Sequence, residues 1–226
     1  MIKKSWRNFL NKYLWADRKD ILAMQYLAPL SKTYLPWTSS SMRPSALVIV
    51  LNDIVINRRT CILECGGGIS TFYMARLLKE KGGHLYTVEH DKEWAEILNW
   101  LLKQEGLSEC VSVIPAPLVK TDLAINENLW YDTKIIGDII SGQKIDLLIV
   151  DGPLAYTKEL MYARYPAVPY YKNFLATEYT IVLDDINRQG EQEILLKWEK
   201  ELGILFQKRL ADGNIGIGSS KRSFKI

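Results

Sequence analysis

Thr60-Cys61-Ile62-Leu63-Glu64-Cys65-Gly66-Gly67-Gly68-Ile69-Ser70-Thr71 is the stretch on which the reading of this chain turns. Cys61, Ile62 and Leu63 read as a short buried strand, Glu64 closes it, and Gly66, Gly67 and Gly68 make the turn that follows. Ser70 or Thr71 can cap the next helix, whose apolar face is supplied by Phe72, Met74, Ala75, Leu77 and Leu78. Strand, glycine turn and helix start together form a nucleotide-type site. Glycine lets a ligand approach the backbone closely, and the unpaired N–H groups and positive dipole end of the helix attract a carboxylate or phosphate.

Working downstream, Leu85, Tyr86, Thr87 and Val88 form a second strand that ends in Glu89-His90-Asp91. This is about 20 residues on, where dinucleotide folds set an acid against the ribose hydroxyls. Glu89 is the ribose candidate, Asp91 the second choice, and His90 between them belongs to the same strand tip. Both acids also stand where acids cap a following helix. Trp94, Ile97, Leu98, Leu101 and Leu102 mark that helix, and Val111, Val113 and Ile114 a third strand closed by Pro115-Ala116-Pro117. The repeating strand and helix pattern predicts a parallel sheet with right-handed crossovers.

Ile145-Asp146-Leu147-Leu148-Ile149-Val150-Asp151 is a nearly continuous apolar run, as a central strand covered on both faces requires. Asp151 is its tip. A fifth strand, Tyr179 to Leu183, ends in Asp184-Asp185. In an open parallel sheet the ligand crevice lies outside the carboxyl ends of the strands, so Gly66, Glu89, Asp151 and Asp184-Asp185 converge on one edge. Three carboxylates gathered without a cation repel one another. Magnesium or manganese would resolve the conflict, being hard ions that take oxygen ligands. The bland alternative is that Asp151 and Asp184 only shape strand ends and touch the bound ligand.

The chain has 226 residues, 48% of them hydrophobic and 24% charged, the balance of an ordinary globular protein. A net charge of +3 with acids and bases interspersed argues against nucleic acid as a partner. No apolar run is long enough to span a bilayer, and the basic N-terminus leads into polar residues such as Arg7, Asn8 and Asn11, so no membrane partner is expected and the expected location is cytoplasmic. Cys61, Cys65 and Cys110 do not make an even framework and read as reduced, structural thiols. Residues 1–44 read as a helical cap and loop, with Trp6, Phe9, Leu10, Tyr13 and Leu14 at helical spacing, and 45–226 as the ligand-binding domain. The loop Trp37 to Pro44 is either a lid over the ligand or a plain linker.

Glu64-Cys65-Gly66-Gly67-Gly68-Ile69-Ser70, followed by the strand ending Val88-Glu89-His90-Asp91, resembles the first two motifs of class I S-adenosylmethionine-dependent methyltransferases. The resemblance runs from Ser45 to the C-terminus, where Ile204-Leu205-Phe206 and Ile215-Gly216-Ile217 predict the closing antiparallel hairpin of that fold. It implies a Rossmann-like, mostly parallel seven-stranded sheet with helices on both faces. The glycine turn would surround the methionine part of the cofactor, with Glu64 near its ammonium, Ser70 near its carboxylate, Glu89 on the ribose and Ala116 beside the adenine. The strand-tip acids resemble those of metal-dependent O-methyltransferases, which implies Asp151, Asp184 and Asp185 as ligands to magnesium or manganese and O-methylation of a small molecule or sugar. One departure stands out: Pro153 and Leu154 occupy the positions where such relatives carry a proton acceptor. Lys158, Tyr156 or Glu159 from the next loop, or a carboxylate such as Asp151, would have to serve instead. Two other readings remain: a nicotinamide-dependent oxidoreductase, disfavoured by Glu64 and by the hairpin, and a catalytically silent cofactor-binding protein. The oligomeric state is open, a homodimer among the options.

Overall fold

The computed structural model describes residues 18–221. The helical spacing expected of Trp6 to Leu14 lies outside the described residues. Helix α1 (18–27) runs into a single tight turn, Ala28–Leu30. Then follow α2 (Pro44–Ile56), β1 (Cys61–Cys65), α3 (Ile69–Lys81), β2 (His84–Glu89), α4 (Lys92–Gln104) and β3 (Val111–Pro115). A short antiparallel hairpin, β4 (Leu118–Lys120) and β5 (Leu129–Tyr131), precedes α5 (Thr133–Ile140) and β6 (Ile145–Val150). The chain closes with α6 (Ala167–Tyr171), β7 (Leu175–Leu183), α7 (Gln189–Leu202), β8 (Phe206–Arg209) and β9 (Ile215–Ser219).

The main sheet has seven strands in the order β3-β2-β1-β6-β7-β9-β8. Its first five are parallel, and β9 inserts antiparallel between β7 and β8, as the C-terminal hairpin predicts. The fold expected from the sequence is therefore the one found. Period-two side-chain alternation divides the strand residues between two cores. Ile62, Leu85, Leu147 and Val182 pack with Leu47, Met74 and Leu98 from α2, α3 and α4. Leu63, Val88, Leu148 and Ile181 pack with Ile136, Val168 and Trp198 from α5, α6 and α7. With both faces covered, β6 has nowhere to place a polar side chain except near its exposed ends, which is why its run Leu147–Val150 is wholly apolar and fully buried.

Backbone hydrogen bonds carry the register past the strands into the turns at their carboxyl ends. Gly66 N donates to Val88 O at 2.9 Å, Asp151 N to Cys65 O at 3.0 Å, and Asp184 N to Val150 O at 3.0 Å. The tips of β1, β2, β6 and β7 thus form one fixed ledge.

Candidate functional site

The first element of the ledge is the glycine turn. Gly66 has φ +89°, a conformation that costs glycine little, and a Cβ there would stand 3.1 Å from the Asp151 carbonyl. The Cβ of a residue at 67 would collide with Leu98 and Thr87 at 2.6 and 2.8 Å, so the loop packs directly against α4 and β2. At Gly68 the outlook is different: a Cβ would meet nothing within 4 Å, and the residue borders a cavity of about 330 Å³.

That cavity is walled by Gly66–Ser70, by Glu89, His90, Asp91 and Trp94, by Tyr131, and by Asp151–Leu154. Pro36, Thr38 and Ser40–Met42 close it from the loop before α2. The sequence-derived candidates Gly66, Gly67, Gly68, Ser70, Glu89, His90 and Asp151 are brought together here. Glu89 is held rigidly: one carboxylate oxygen accepts from Gly67 N at 3.1 Å, the other from His90 N at 2.7 Å and Asp91 N at 2.9 Å. The Glu89 carboxylate, 2.9 Å from His90 Nδ1, raises the affinity of that imidazole for a proton. Trp94 is pinned by its indole N–H, which donates to Gly67 O at 2.8 Å. Asp91 also caps α4, accepting from Trp94 N at 3.0 Å, so for this residue the capping reading applies.

Four of the candidates lie elsewhere or in other company than the resemblance implies. Glu64 is not at the cavity wall: it is fully buried beneath the turn and accepts from Ser70 Oγ, Thr71 Oγ1 and Thr87 Oγ1 at 2.5, 2.6 and 3.0 Å. Burial pushes its carboxyl up to about 7, with the three hydroxyl donors opposing. Its oxygens hold the strand, turn and helix together through these three hydroxyls. Ala116 is likewise wholly buried, packed in the core that contains Trp130, and does not border the cavity. Lys158 is exposed on the segment after β6 and is not part of the wall. Finally, Asp151, Asp184 and Asp185 do converge, but around a side chain rather than an open space. Arg164, 2% exposed, lies 3.4 Å from Asp151 Oδ1 and 3.1 Å from Asp185 Oδ2, and donates to Asp184 O at 3.3 Å.

The donor set therefore does not fit a divalent ion as it stands, and among the described residues no group of three or more acidic, histidine or cysteine side chains is arranged to hold one. Asp151 alone of the three borders the cavity. Burial raises its proton affinity well above the usual carboxylate range, Asp184 adds to this and Arg164 opposes it. Burial and then Asp185 push Asp184 up to about 7. Asp185 has φ +61°, which aspartate tolerates, and its N–H turns back to Asp184 Oδ1 at 2.8 Å.

Tyr131, like Trp94, is a wall residue that sequence reasoning did not place in the site. It is fully buried, borders the cavity, and its hydroxyl has no hydrogen-bond partner among the described residues. A buried phenol left unpaired is costly, so a polar ligand atom is its natural complement. An aromatic pair beside a helix start gave only a weak signal. What marks Tyr131 is the pairing of β5 with β4, which fixes it beside the tip of β6.

An adenosyl amino acid suits this cavity. Gly68 leaves open space at the helix start, Glu89 offers oxygens to hydroxyls, and Tyr131 presents an unpaired hydroxyl. A family model described as a methyltransferase domain matches residues 63–186. Among solved structures, a putative caffeoyl-CoA O-methyltransferase from Staphylococcus aureus is similar at 14% identity, covering 94% of this chain and 100% of its own, with a TM-score of 0.61. An O-methyltransferase from Bacillus cereus, solved in complex with SAH, is similar at 17% identity over 89% of this chain and 90% of its own, with a TM-score of 0.57. A Podospora anserina methyltransferase, also SAH-bound, is similar at 13% identity over 88% and 94%, with a TM-score of 0.57. At these identities the likeness is one of fold. No curated protein matches in sequence. The matched family model spans β1 through the tip of β7, the same ledge that builds the cavity, and the chain belongs to the methyltransferase-domain family as a class I S-adenosylmethionine-dependent methyltransferase.

Proposed function

We propose that this enzyme methylates an oxygen of a small molecule or sugar, with Asp151 receiving the acceptor's proton. The observation that carries the reading is that one cavity, bordered by the loop before α2, joins the glycine turn and Glu89 to a strand-tip carboxylate, Asp151. S-adenosylmethionine, when bound, supplies an electrophilic methyl group on a sulfonium. The chain's task is then to orient an acceptor, accept one proton and keep water away. Glu89 retains lone pairs toward the ribose hydroxyls while its backbone partners fix it. Asp151 is the strand-tip carboxylate that borders the cavity, next to Pro153 and Leu154, and Arg164 stands 3.4 Å from its Oδ1. No step is routed through a metal, because Arg164 is paired with two of the three carboxylates that would hold one, Asp151 and Asp185.

The test is transfer from isotopically labelled S-adenosylmethionine to a panel of phenolic, catecholic and sugar acceptors, the product's methyl placed by NMR. An O-methyl product is expected, and Asp151→Asn should lower kcat by about 100-fold or more while leaving affinity for S-adenosylhomocysteine unchanged. A methyl found on nitrogen or carbon would refute the assignment of the acceptor atom. Tight binding of S-adenosylhomocysteine with no transfer to any acceptor would favour a cofactor-binding role.

A further inference from the structure

We propose that Arg164 is the resident cation of the carboxylate centre, seated where a divalent ion would otherwise bridge the tips of β6 and β7, and that the centre takes no divalent metal while this side chain is in place. Every nitrogen of the guanidinium is committed. Nε donates to Pro153 O at 3.1 Å, and Nη2 to Asp151 O at 2.9 Å with Asp151 Oδ1 at 3.4 Å. Nη1 donates to Asp184 O at 3.3 Å and pairs with Asp185 Oδ2 at 3.1 Å. All these acceptors belong to the turns that leave β6 and β7. Arg188 adds a second cation from the start of α7, 3.0 Å from the same Asp185 oxygen.

The chemistry of the two cations is different enough to exclude sharing. Magnesium or manganese demands compact octahedral oxygen coordination at about 2.0–2.1 Å for magnesium, whereas a guanidinium is a flat fork of five N–H donors that reaches carboxylates and carbonyls in one plane. A guanidinium between Asp151 and Asp185 holds their oxygens apart by its own width. Its charge cannot be lost by deprotonation, and it is more weakly hydrated than a compact ion, so a buried position suits it. Arg164 comes from the excursion between β6 and β7, and by joining both turns it also fixes the direction from which Asp151 faces the cavity. It acts through Asp151 and is a positioning residue.

The experiment needs no methyl acceptor, so its outcome is separate from that of the proposed reaction. Full-length wild-type chain, treated with a chelator and desalted, is titrated with Mn2+ while free ion is followed by electron paramagnetic resonance and the melting temperature in parallel. The wild type should leave the free-ion signal at the buffer level and show no thermal shift. Arg164→Ala vacates the space between the carboxylates; it should bind Mn2+ stoichiometrically and, at about ten times the dissociation constant, melt about 3–6 °C higher than without the ion. Adding Asp184→Asn should abolish that gain, and Arg164→Lys, which keeps a cation, should behave as wild type. Stoichiometric Mn2+ binding by the wild type, lost in Asp184→Asn, would overturn the proposal, as would a folded Arg164→Ala chain that takes no Mn2+. If Arg164→Ala does not fold, Arg164→Gln carries the same expectations, and the wild-type titration decides by itself.

Discussion

Gly66 and Gly68 stand two positions apart in one turn, yet their side-chain space differs completely. A Cβ at 66 would press on the Asp151 backbone from a residue at φ +89°, so substitution there strains the ledge itself. At Gly68 the same atom would enter open space bordering the cavity. Gly68→Val is therefore expected to weaken S-adenosylhomocysteine binding by about tenfold or more in calorimetry while leaving the melting temperature within about 2 °C of wild type. Gly66→Val should lower both. Wild-type affinity in Gly68→Val would mean that the glycine turn does not line the cofactor's place. The acids obey a similar distinction. Glu64 and Glu89 end neighbouring parallel strands, but Glu64 turns under the loop toward three hydroxyls, while Glu89 borders the cavity and reaches back to Gly67 N.

At the scale of elements, the cavity is closed by two segments that are not part of the sheet: the loop before α2 and the excursion after β6. They meet where Ser40 Oγ lies 3.0 Å from Tyr156 Oη, and the Arg188 guanidinium lies 5.0 Å from the centre of the Tyr156 ring. Tyr156 is otherwise half out in solvent, so these contacts are its tie to the body of the protein. Tyr156→Phe removes the hydroxyl contact and keeps the ring. We expect S-adenosylhomocysteine to dissociate about fivefold faster, in line with the loss of one hydrogen bond, followed by stopped-flow fluorescence of Trp94 on the cavity wall. An unchanged dissociation rate would remove the closing role from the Trp37–Pro44 loop and leave it a linker.

At the scale of the whole molecule, the edge of the sheet opposite the cavity is held by a different buried ion pair. Arg59, just before β1, pairs with Asp53 of α2 at 3.0 Å and donates to Thr180 Oγ1 of β7 at 2.7 Å and to Glu178 O at 3.1 Å. Asp53 is fully buried. Arg59→Ala strands that carboxylate in the interior, and urea unfolding should register a loss of about 3–5 kcal/mol with an unchanged slope. Cofactor affinity of the folded variant should stay at wild type, since the pair stands at the far end of the strands. A loss under about 1 kcal/mol would show that α2 is held by its apolar packing alone. None of the helices described is long and apolar enough to cross a membrane, and the chain buries its apolar residues in the two cores that flank the sheet.

Whereas the short helix α6 was not legible in the sequence, the order of the main-sheet strands, the glycine turn, the closing hairpin and the gathering of acids at one edge were. Each follows from short-range causes: apolar period, turn chemistry, and the rule that parallel strands bring their carboxyl ends together. What each side chain faces was decided only by tertiary structure. The fold sets Arg164, from the excursion between β6 and β7, beside Asp151 and Asp185, and the pairing of β5 with β4 sets Tyr131 on the cavity wall. Lys158, a replacement from the next loop for the missing proton acceptor, ended in solvent. The physical reason is that local propensity depends on a few neighbouring residues, whereas electrostatic pairing depends on which distant segments share a few ångströms of interior, and only the assembled sheet fixes that.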